Sequence, residues 1–223
     1  MKKILEIKNL KKLYHDKNGE TLAIDNINLD IYENEFISIV GTSGCGKSTL
    51  LSILANLEDK SEGEIIYNNE NIRIGYMLQK DCLLPWRNIL DNCLIGLEIK
   101  KELTKEKKEK VISLLDKYGW KDFIYKYPNS LSGGMRQRVA LIRTLATDPD
   151  ILLLDEPLSA LDYQTRIALS DDLYRIIKDQ GKTAIMVTHD LGEVDFYFSK
   201  IMVLQPKHLE AIYMLDNNHS MGN

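Results

Sequence analysis

Apolar and polar residues follow two different patterns along the chain. They alternate over residues 4–7 and 21–31, which predicts half-exposed strands of an antiparallel sheet. Phe36-Ile-Ser-Ile-Val40 is instead a short, nearly continuous apolar run that ends in a glycine, the pattern of a buried parallel strand. Further apolar runs at 151–154 and 183–187 predict two more strands.

Helical spacing separates these strands. A first helix is predicted from Thr49 to Leu57, and a second over 103–118, where apolar residues lie on one face. A third is predicted over 164–179, and Gly181 after it is a natural C-terminal cap. Strands and helices in alternation predict an α/β fold with a parallel sheet. The middle third of the chain is predicted to be a mostly helical insert.

Composition narrows the classes of function. Of 223 residues, 44% are hydrophobic and 28% are charged, and the net charge is -4, so no basic field points to nucleic acid. The lysine-rich run 105–110 is interpreted as the solvated face of a helix. Cys45, Cys82 and Cys93 form no CxxC pair and are expected to be reduced. The N-terminus becomes charged again too soon for a signal peptide, and no apolar run approaches ~20 residues, so any membrane role is expected to require a partner.

A phosphate-loop motif follows the strand 36–40. Residues 41–48 match G-x-x-x-x-G-K-[ST], and their glycines allow successive backbone N–H groups to point at phosphate oxygens. In such a loop the lysine neutralises the β- and γ-phosphates and the serine hydroxyl binds Mg²⁺. The motif alone does not distinguish a kinase or a GTPase from a transport ATPase. ATP is expected to contact Gly41, Thr42, Ser43, Gly44, Cys45, Gly46, Lys47, Ser48 and Thr49.

Two carboxylates, Asp155 and Glu156, end the apolar strand 151–154. Asp155 is predicted to hold Mg²⁺ through water, completing the site begun by Ser48. Glu156 is placed to polarise an attacking water as a general base. An acid pair at a strand end is also a common turn feature, but its combination with the phosphate loop favours the catalytic interpretation.

The string Leu131-Ser-Gly-Gly-Met-Arg-Gln-Arg138 resembles the signature sequence of the ATP-binding subunits of ABC transporters. Ser132, Gly133 and Gly134 can present a hydroxyl and bare N–H groups at a helix start, which makes a second anion site on the same chain. The resemblance implies a RecA-like P-loop NTPase core with an N-terminal antiparallel β-subdomain and an inserted helical subdomain. It also implies a head-to-tail dimer, in which each ATP lies between the phosphate loop of one copy and the signature of the other.

The same resemblance assigns roles to residues elsewhere in the chain. Tyr14 resembles the aromatic residue that stacks on adenine, and Gln79 resembles the glutamine that touches Mg²⁺ and the lytic water. Asp162 lies in a stretch similar to the loop that crosses the dimer interface. His189 resembles the histidine that contacts the γ-phosphate and positions Glu156. By resemblance, the catalytic set is Lys47, Gln79, Glu156 and His189, and the metal set is Ser48, Gln79 and Asp155.

The resemblance covers nearly the whole chain, from residue 4 to about 205, and strands are expected near residues 201 and 212. No regulatory domain is expected after them. Ser199-Lys200 stands where the family usually has Asp-Arg, which does not touch the expected ATP site. The implied organisation is a single ATPase domain, with the core and β-subdomain at 1–80 and 148–216, the helical subdomain at 81–147 and a flexible tail at 217–223.

Leu83-Leu-Pro-Trp86, followed by Asn88-Ile-Leu-Asp-Asn92, is similar to the subgroup that serves importers of nitrate, sulfonate, taurine and thiamine precursors. In the family a coupling helix of the membrane subunit docks here, and Leu83, Leu84 and Trp86 could form an apolar groove floor for it. Core packing explains the same residues nearly as well. The implied partners are permease subunits at the cytoplasmic face of the membrane, a second copy of the chain and an extracytoplasmic substrate-binding protein.

Three other interpretations stay open at this point. The chain could serve an ABC transporter of another type, for amino acids, lipoproteins or efflux, or be a soluble ABC ATPase of DNA repair or translation. Those soluble enzymes carry a long coiled coil or tandem cassettes, and this sequence shows neither. A nucleotide-gated regulatory module with negligible turnover is the third, and the presence of both Glu156 and His189 argues against it.

Overall fold

The computed structural model describes residues 2–17, 19–159, 161–189 and 200–204. The tail 217–223 and the strand expected near residue 212 lie outside these ranges. In order, the described elements are β1 (Lys3–Asp16), β2 (Gly19–Tyr32), β3 (Phe36–Gly41), α1 (Lys47–Leu54), β4 (Glu62–Tyr67), β5 (Ile74–Met77), α2 (Ile89–Ile99), α3 (Lys105–Lys117), α4 (Gly133–Leu145), β6 (Ile151–Asp155), α5 (Tyr163–Asp179), β7 (Thr183–Thr188) and β8 (Lys200–Leu204), with short 3-10 helices at Lys121–Phe123 and Pro128–Ser130.

A three-stranded antiparallel sheet has the order β2-β1-β4 and contributes to the core that also contains α1 and β3. β1 pairs with β2 from Lys3 opposite Tyr32 to Asp16 opposite Gly19, so both strands are longer than the alternating stretches predicted. β4 was not predicted. Its exposed face carries Ile66, an apolar residue that hides the alternation of buried and exposed positions.

The second sheet is parallel, has five strands and follows the order β5-β6-β7-β3-β8. β3, β6 and β7 are buried along nearly their whole length, which explains their continuous apolar sequences and confirms the parallel strands predicted there. The strand expected near residue 201 is β8. Because the strands are parallel, their carboxyl ends share one edge, where Gly41, Met77, Asp155 and Thr188 lie.

Helices cover both faces of the parallel sheet. α1 packs on one face together with the antiparallel sheet, and α4 and α5 pack on the other. α1 begins at Lys47 and ends at Leu54, because Asn56 adopts a left-handed conformation with φ of 56°. Leu57, which the apolar spacing placed in this helix, therefore lies beyond its end with 70% of its surface exposed.

Residues 81–147 contain α2, α3 and α4, which enclose a core of their own. α4 belongs to two cores, since Ala140 and Leu141 pack against the parallel sheet while Val139 and Ile142 pack against α2 and α3. It therefore joins the helical segment to the sheet. Within the described ranges, no helix has the length and apolar character that a membrane span requires.

Candidate functional site

The phosphate loop lies between β3 and α1 at the carboxyl edge of the parallel sheet. Gly46 precedes α1 with φ of 96°, and a Cβ there would lie 2.2 Å from the Ala23 carbonyl oxygen, so only glycine fits. The Cys45 amide donates to the Thr42 carbonyl at 3.3 Å, while the Cys45 side chain is buried in the core. Of the predicted ATP contacts, Cys45 can therefore offer only its backbone.

The Lys47 side chain is turned into the loop. Only 4% of its surface is exposed, and its ammonium donates to the carbonyl oxygens of Gly41 at 2.7 Å and Thr42 at 3.0 Å. The same nitrogen lies 3.6 Å from Glu156 Oε1. The loop thus fixes a cation where the phosphates of a nucleotide would enter.

Asp155 and Ser48 meet across the gap between β6 and α1. Ser48 Oγ donates to Asp155 Oδ1 at 2.9 Å, and the Tyr76 hydroxyl donates to Asp155 Oδ2 at 3.2 Å. Burial raises the pKa of Asp155, and the two hydrogen bonds oppose that rise. Burial also raises the pKa of Tyr76 to about 12, so its phenol remains a hydrogen-bond donor. A hydroxyl and a carboxylate are the oxygen ligands that Mg²⁺ prefers, so this pair fits such an ion.

The Glu156 carboxylate is the meeting point of three other predicted catalytic residues. Its Oε2 lies 3.0 Å from His189 Nδ1 and accepts from Gln79 Nε2 at 3.4 Å, while Oε1 faces Lys47. The backbone of Glu156 has φ of 44°, and its N–H donates to the Val187 carbonyl at 3.0 Å, which ties the residue to β7. The fold therefore brings together residues from four separate segments.

Tyr14 lies near the end of β1, beside the first turn of α1. Its hydroxyl oxygen is 3.3 Å from Thr49 Oγ1, and burial raises the pKa of this phenol. The Lys12 ammonium lies 4.8 Å from the centre of the ring. The ring is thus adjacent to the phosphate loop, as stacking on a nucleotide base would require.

The signature residues and Asp162 lie together at the starts of two helices. Ser132 Oγ caps α4 by accepting from the Met135 amide at 3.3 Å, and Asp162 caps α5 by accepting from Thr165. The backbone and hydroxyl hydrogen bonds from Thr165 lower the pKa of Asp162. A Cβ on Gly134 would lie 3.0 Å from Thr165 Cγ2, so the two helix starts pack closely.

These helix starts are separate from the phosphate loop of the same chain. Among the described residues, no hydrogen bond or ion pair connects Ser132, Gly133 or Gly134 with residues 41–49. The structure therefore brings the predicted site residues together in two groups, one at the phosphate loop and one at the signature.

A link between α4 and the segment after β5 was not predicted. Gln137 Nε2 donates to the Gln79 carbonyl at 3.1 Å, Arg136 Nε donates to Asp81 Oδ2 at 3.0 Å, and Arg143 donates to the Asp81 and Cys82 carbonyls at 2.6 and 2.8 Å. The partners are far apart in sequence, so no periodic pattern marks them. The signature helix is thereby bound to the segment that begins with Gln79.

A groove of about 510 Å³ opens beside this link, lined by Gln79, Lys80, Asp81, Cys82, Gln137 and Ser159. The three apolar residues expected to form a common docking floor differ in burial. Leu83 is buried in the core of the helical segment, Leu84 is half-buried, and Trp86 is 71% exposed. The core interpretation therefore holds for Leu83 and not for Trp86.

The glycine-rich loop, the helix start with Lys47 and the two carboxylates at the same sheet edge define a P-loop NTPase. A model of the family described as ABC transporter matches residues 24–159, and the chain belongs to that family.

Several known proteins are similar in sequence to this chain over most of its length. The uncharacterized ABC transporter ATP-binding protein YtlC of Bacillus subtilis is 47% identical over 95% of this chain and 84% of its own length. The aliphatic sulfonates import ATP-binding protein SsuB of Bacillus thuringiensis is 36% identical over 97% of this chain and 87% of its own length. The spermidine/putrescine import ATP-binding protein PotA of Borreliella afzelii is 42% identical over 90% of this chain, but the match covers only 60% of PotA.

A solved structure shares the fold. The dimeric, post-hydrolysis state of the ATP-binding cassette MJ0796, bound to ADP and Pi, is 32% identical to this chain and superposes with a TM-score of 0.76. The match covers 94% of this chain and 99% of that one. The predicted P-loop NTPase fold is confirmed, and the chain is an ATPase and the ATP-binding subunit of an ABC transporter.

Proposed function

We propose that ATP is hydrolysed at the edge where Lys47, Gln79, Glu156 and His189 meet. The observation that supports this proposal is the Glu156 carboxylate, which faces Lys47 at 3.6 Å and His189 at 3.0 Å. Glu156 is the general base for the attacking water, His189 holds that carboxylate in place, and Lys47 neutralises phosphate charge. Tyr14 stacks on the adenine, beside the loop that binds the phosphates.

Ser48 and Asp155, together with Gln79, are the residues that would hold Mg²⁺. The short contact between a hydroxyl and a carboxylate, at 2.9 Å, supports this assignment, because both groups are hard oxygen donors. When bound, the ion supplies neutralisation of the charge on the phosphate oxygens.

The proposed working form is a head-to-tail dimer. Ser132 is exposed at the start of α4. Among the described residues, it shares with Gly133 and Gly134 the lack of any hydrogen bond or ion pair to the phosphate loop of its own chain. In a dimer these N–H groups and this hydroxyl would face the γ-phosphate bound to the other copy. Asp162, at the neighbouring helix start, would lie at the interface. The MJ0796 cassette, which is dimeric with ADP and Pi bound, supports a dimeric working form.

The proposed role is to energise an importer of a small anion or related nutrient, of the nitrate, sulfonate, taurine or thiamine-precursor type. The sulfonate relative supports this choice, because the match covers most of both chains, whereas the polyamine relative matches over only 60% of its length. The subunit would bind the permease at the cytoplasmic face of the membrane, near Leu83–Trp86. An extracytoplasmic substrate-binding protein would complete the system.

A Glu156→Gln variant tests the proposal. The amide removes the base and keeps the shape of the side chain, so ATP should bind and remain intact. We expect phosphate release to fall by at least about 100-fold, as is typical for loss of a general base. Light scattering with ATP and Mg²⁺ should show a dimer that wild type forms only transiently.

Two outcomes would count against the proposal. A variant that stays monomeric at high protein and ATP concentrations would contradict the dimer. Negligible phosphate release by the wild-type chain would favour the nucleotide-gated regulatory module instead.

A further inference from the structure

Tyr76 lies in the centre of β5 and reaches the Asp155 carboxylate from the neighbouring strand. The parallel register pairs Tyr76 with Leu153, two residues before Asp155. Because side chains alternate along a strand, Leu153 and Asp155 point to the same face of the sheet, and that is the face covered by α1. Tyr76 also packs against this core, which directs its hydroxyl toward Asp155.

The two oxygens of Asp155 have different partners. Oδ1 accepts from Ser48 at 2.9 Å and Oδ2 accepts from Tyr76 at 3.2 Å. The terminal torsion of an aspartate is broad, so a carboxylate held through one oxygen can still rotate. A second donor on the other oxygen restricts that rotation. The Tyr76 hydroxyl can keep its hydrogen bond while the side facing Ser48 is used by a ligand.

Tyr76 is itself well supported. Like Ile74, the ring packs against the core that contains α1. The Ser52 side chain, one helical turn after Ser48, opposes the rise that burial causes in the pKa of the phenol, so the hydroxyl has a neighbour on the helix as well as Asp155 on the sheet. Neither the phosphate loop motif nor the signature includes this residue.

We propose that Tyr76 is a positioning residue that orients the Asp155 carboxylate for Mg²⁺. The inference rests on the proposed metal role of Asp155 and Ser48. Hydrogen bonds from outer-shell residues to the groups that hold a metal ion tune its affinity, and their loss typically costs about 10- to 100-fold. Tyr76 thus strengthens the affinity for the ion through Asp155.

The test is Tyr76→Phe, which removes the hydroxyl and keeps the ring. We expect the Mg²⁺ concentration for half-maximal ATPase activity to rise by about 10-fold at saturating ATP. A second readout is the binding of Mn²⁺ in the presence of ATP, followed by electron paramagnetic resonance, which should weaken by a similar factor. Binding of a fluorescent ATP analogue in EDTA should stay within twofold of wild type.

Tyr67→Phe is the matched control. Tyr67 also lies on a strand packed against α1, burial raises its pKa to about 12 as well, and its hydroxyl donates to the Leu54 carbonyl at 2.8 Å, away from Asp155. It should leave the Mg²⁺ and Mn²⁺ dependence unchanged. Tyr76→Leu, which also lacks the hydroxyl, should show the same metal shift as Tyr76→Phe even if its melting temperature is lower.

The outcomes separate this inference from the proposed function. If Asp155→Asn raises the Mg²⁺ requirement and Tyr76→Phe leaves it within twofold of wild type, the proposed role of Tyr76 is wrong, whereas the proposed metal site stands. An equal rise in the Mg²⁺ requirement of Tyr67→Phe would show that the effect comes from packing, and it would also overturn the role of Tyr76. If Asp155→Asn itself has no effect on metal binding, the metal site and this inference both fail.

Discussion

At the scale of single residues, the phosphate loop depends on where its charges and its glycines lie. Lys47 is almost fully buried, yet its ammonium is held by two loop carbonyls and faces Glu156. Gly46 and Gly44 both have positive φ, but only Gly46 is in close contact with a neighbouring strand. The loop therefore has two separate requirements, a positive charge at Lys47 and the absence of a side chain at Gly46.

Lys47→Ala should weaken ATP binding by at least about 10-fold, because a charge-assisted contact to phosphate contributes roughly 1.5–3 kcal/mol. Isothermal titration calorimetry measures the affinity. Lys105→Ala removes a lysine whose side chain is 92% exposed on α3 and should leave the affinity unchanged. Equal affinities for Lys47→Ala and wild type would refute the assignment of the phosphate site.

Gly46→Ala should destabilise the nucleotide-free protein more than Gly44→Ala. Both alanines would need a left-handed backbone, at a cost of about 1–2 kcal/mol, but a Cβ on Gly46 would also lie 2.2 Å from the Ala23 carbonyl oxygen, whereas one on Gly44 meets no atom within 4 Å. Such overpacking adds about 1–3 kcal/mol. Urea unfolding followed by circular dichroism measures the difference, and similar midpoints for the two variants would contradict the steric argument.

At the scale of elements, a buried asparagine organises the segment that leads into α2. Asn92 Oδ1 accepts from the Leu84 amide at 2.7 Å, and its Nδ2 lies within 3.1 Å of the Leu84, Arg87 and Asn88 carbonyls. A single side chain thus satisfies backbone groups on both sides of the loop 84–88. The position of Trp86 depends on that loop.

Asn92→Ala should destabilise the protein by about 3 kcal/mol, because several backbone groups lose their partner in a buried site. Hydrogen exchange at the Leu84 amide should accelerate well beyond the change in global stability. Asn71→Ala, on an exposed turn, should alter neither quantity. An unchanged exchange rate at Leu84 would show that the loop holds its shape without Asn92.

At the scale of the whole molecule, the signature helix, the segment after Gln79 and the groove beside it form one connected unit. Gln137 and Arg136 tie α4 to this segment, and α4 also packs into the core of the parallel sheet. A partner that moves in the groove would therefore displace both the signature and the contact between Gln79 and Glu156. This connection supports the proposed coupling between permease and ATP.

Trp86→Ala should leave the ATPase activity of the isolated chain within twofold of wild type and reduce recovery of membrane subunits from native membranes by at least about 10-fold, because exposed aromatic residues often dominate interfaces. Quantitative mass spectrometry of the copurified subunits measures this. Ile99→Ala is the control, since Ile99 is 75% exposed at the far end of α2. Normal recovery with Trp86→Ala would remove this residue from the proposed interface.

The sequence by itself determined the phosphate loop, the parallel strands around it and the membership of the family. These features depend on local physics: glycine at positive φ, a helix start after a strand, and continuous apolar runs in strands buried on both faces. The helices 103–118 and 164–179 were predicted within a few residues of α3 and α5 for the same reason. The roles assigned to the individual site residues, in the phosphate loop as well as in the signature, stay proposals.

Only the tertiary structure decided which distant residues meet. β4 was missed because Ile66 disrupts its alternation, and the end of α1 was misplaced because Asn56, not the apolar spacing, stops the helix. The contacts of Tyr76 with Asp155 and of Gln137 with Gln79 join residues far apart in the chain, and strand register and helix packing create them. Hydrophobic periodicity indicates on which face of a helix or strand a residue lies. A hydrogen bond between two elements depends instead on which elements become neighbours in the fold.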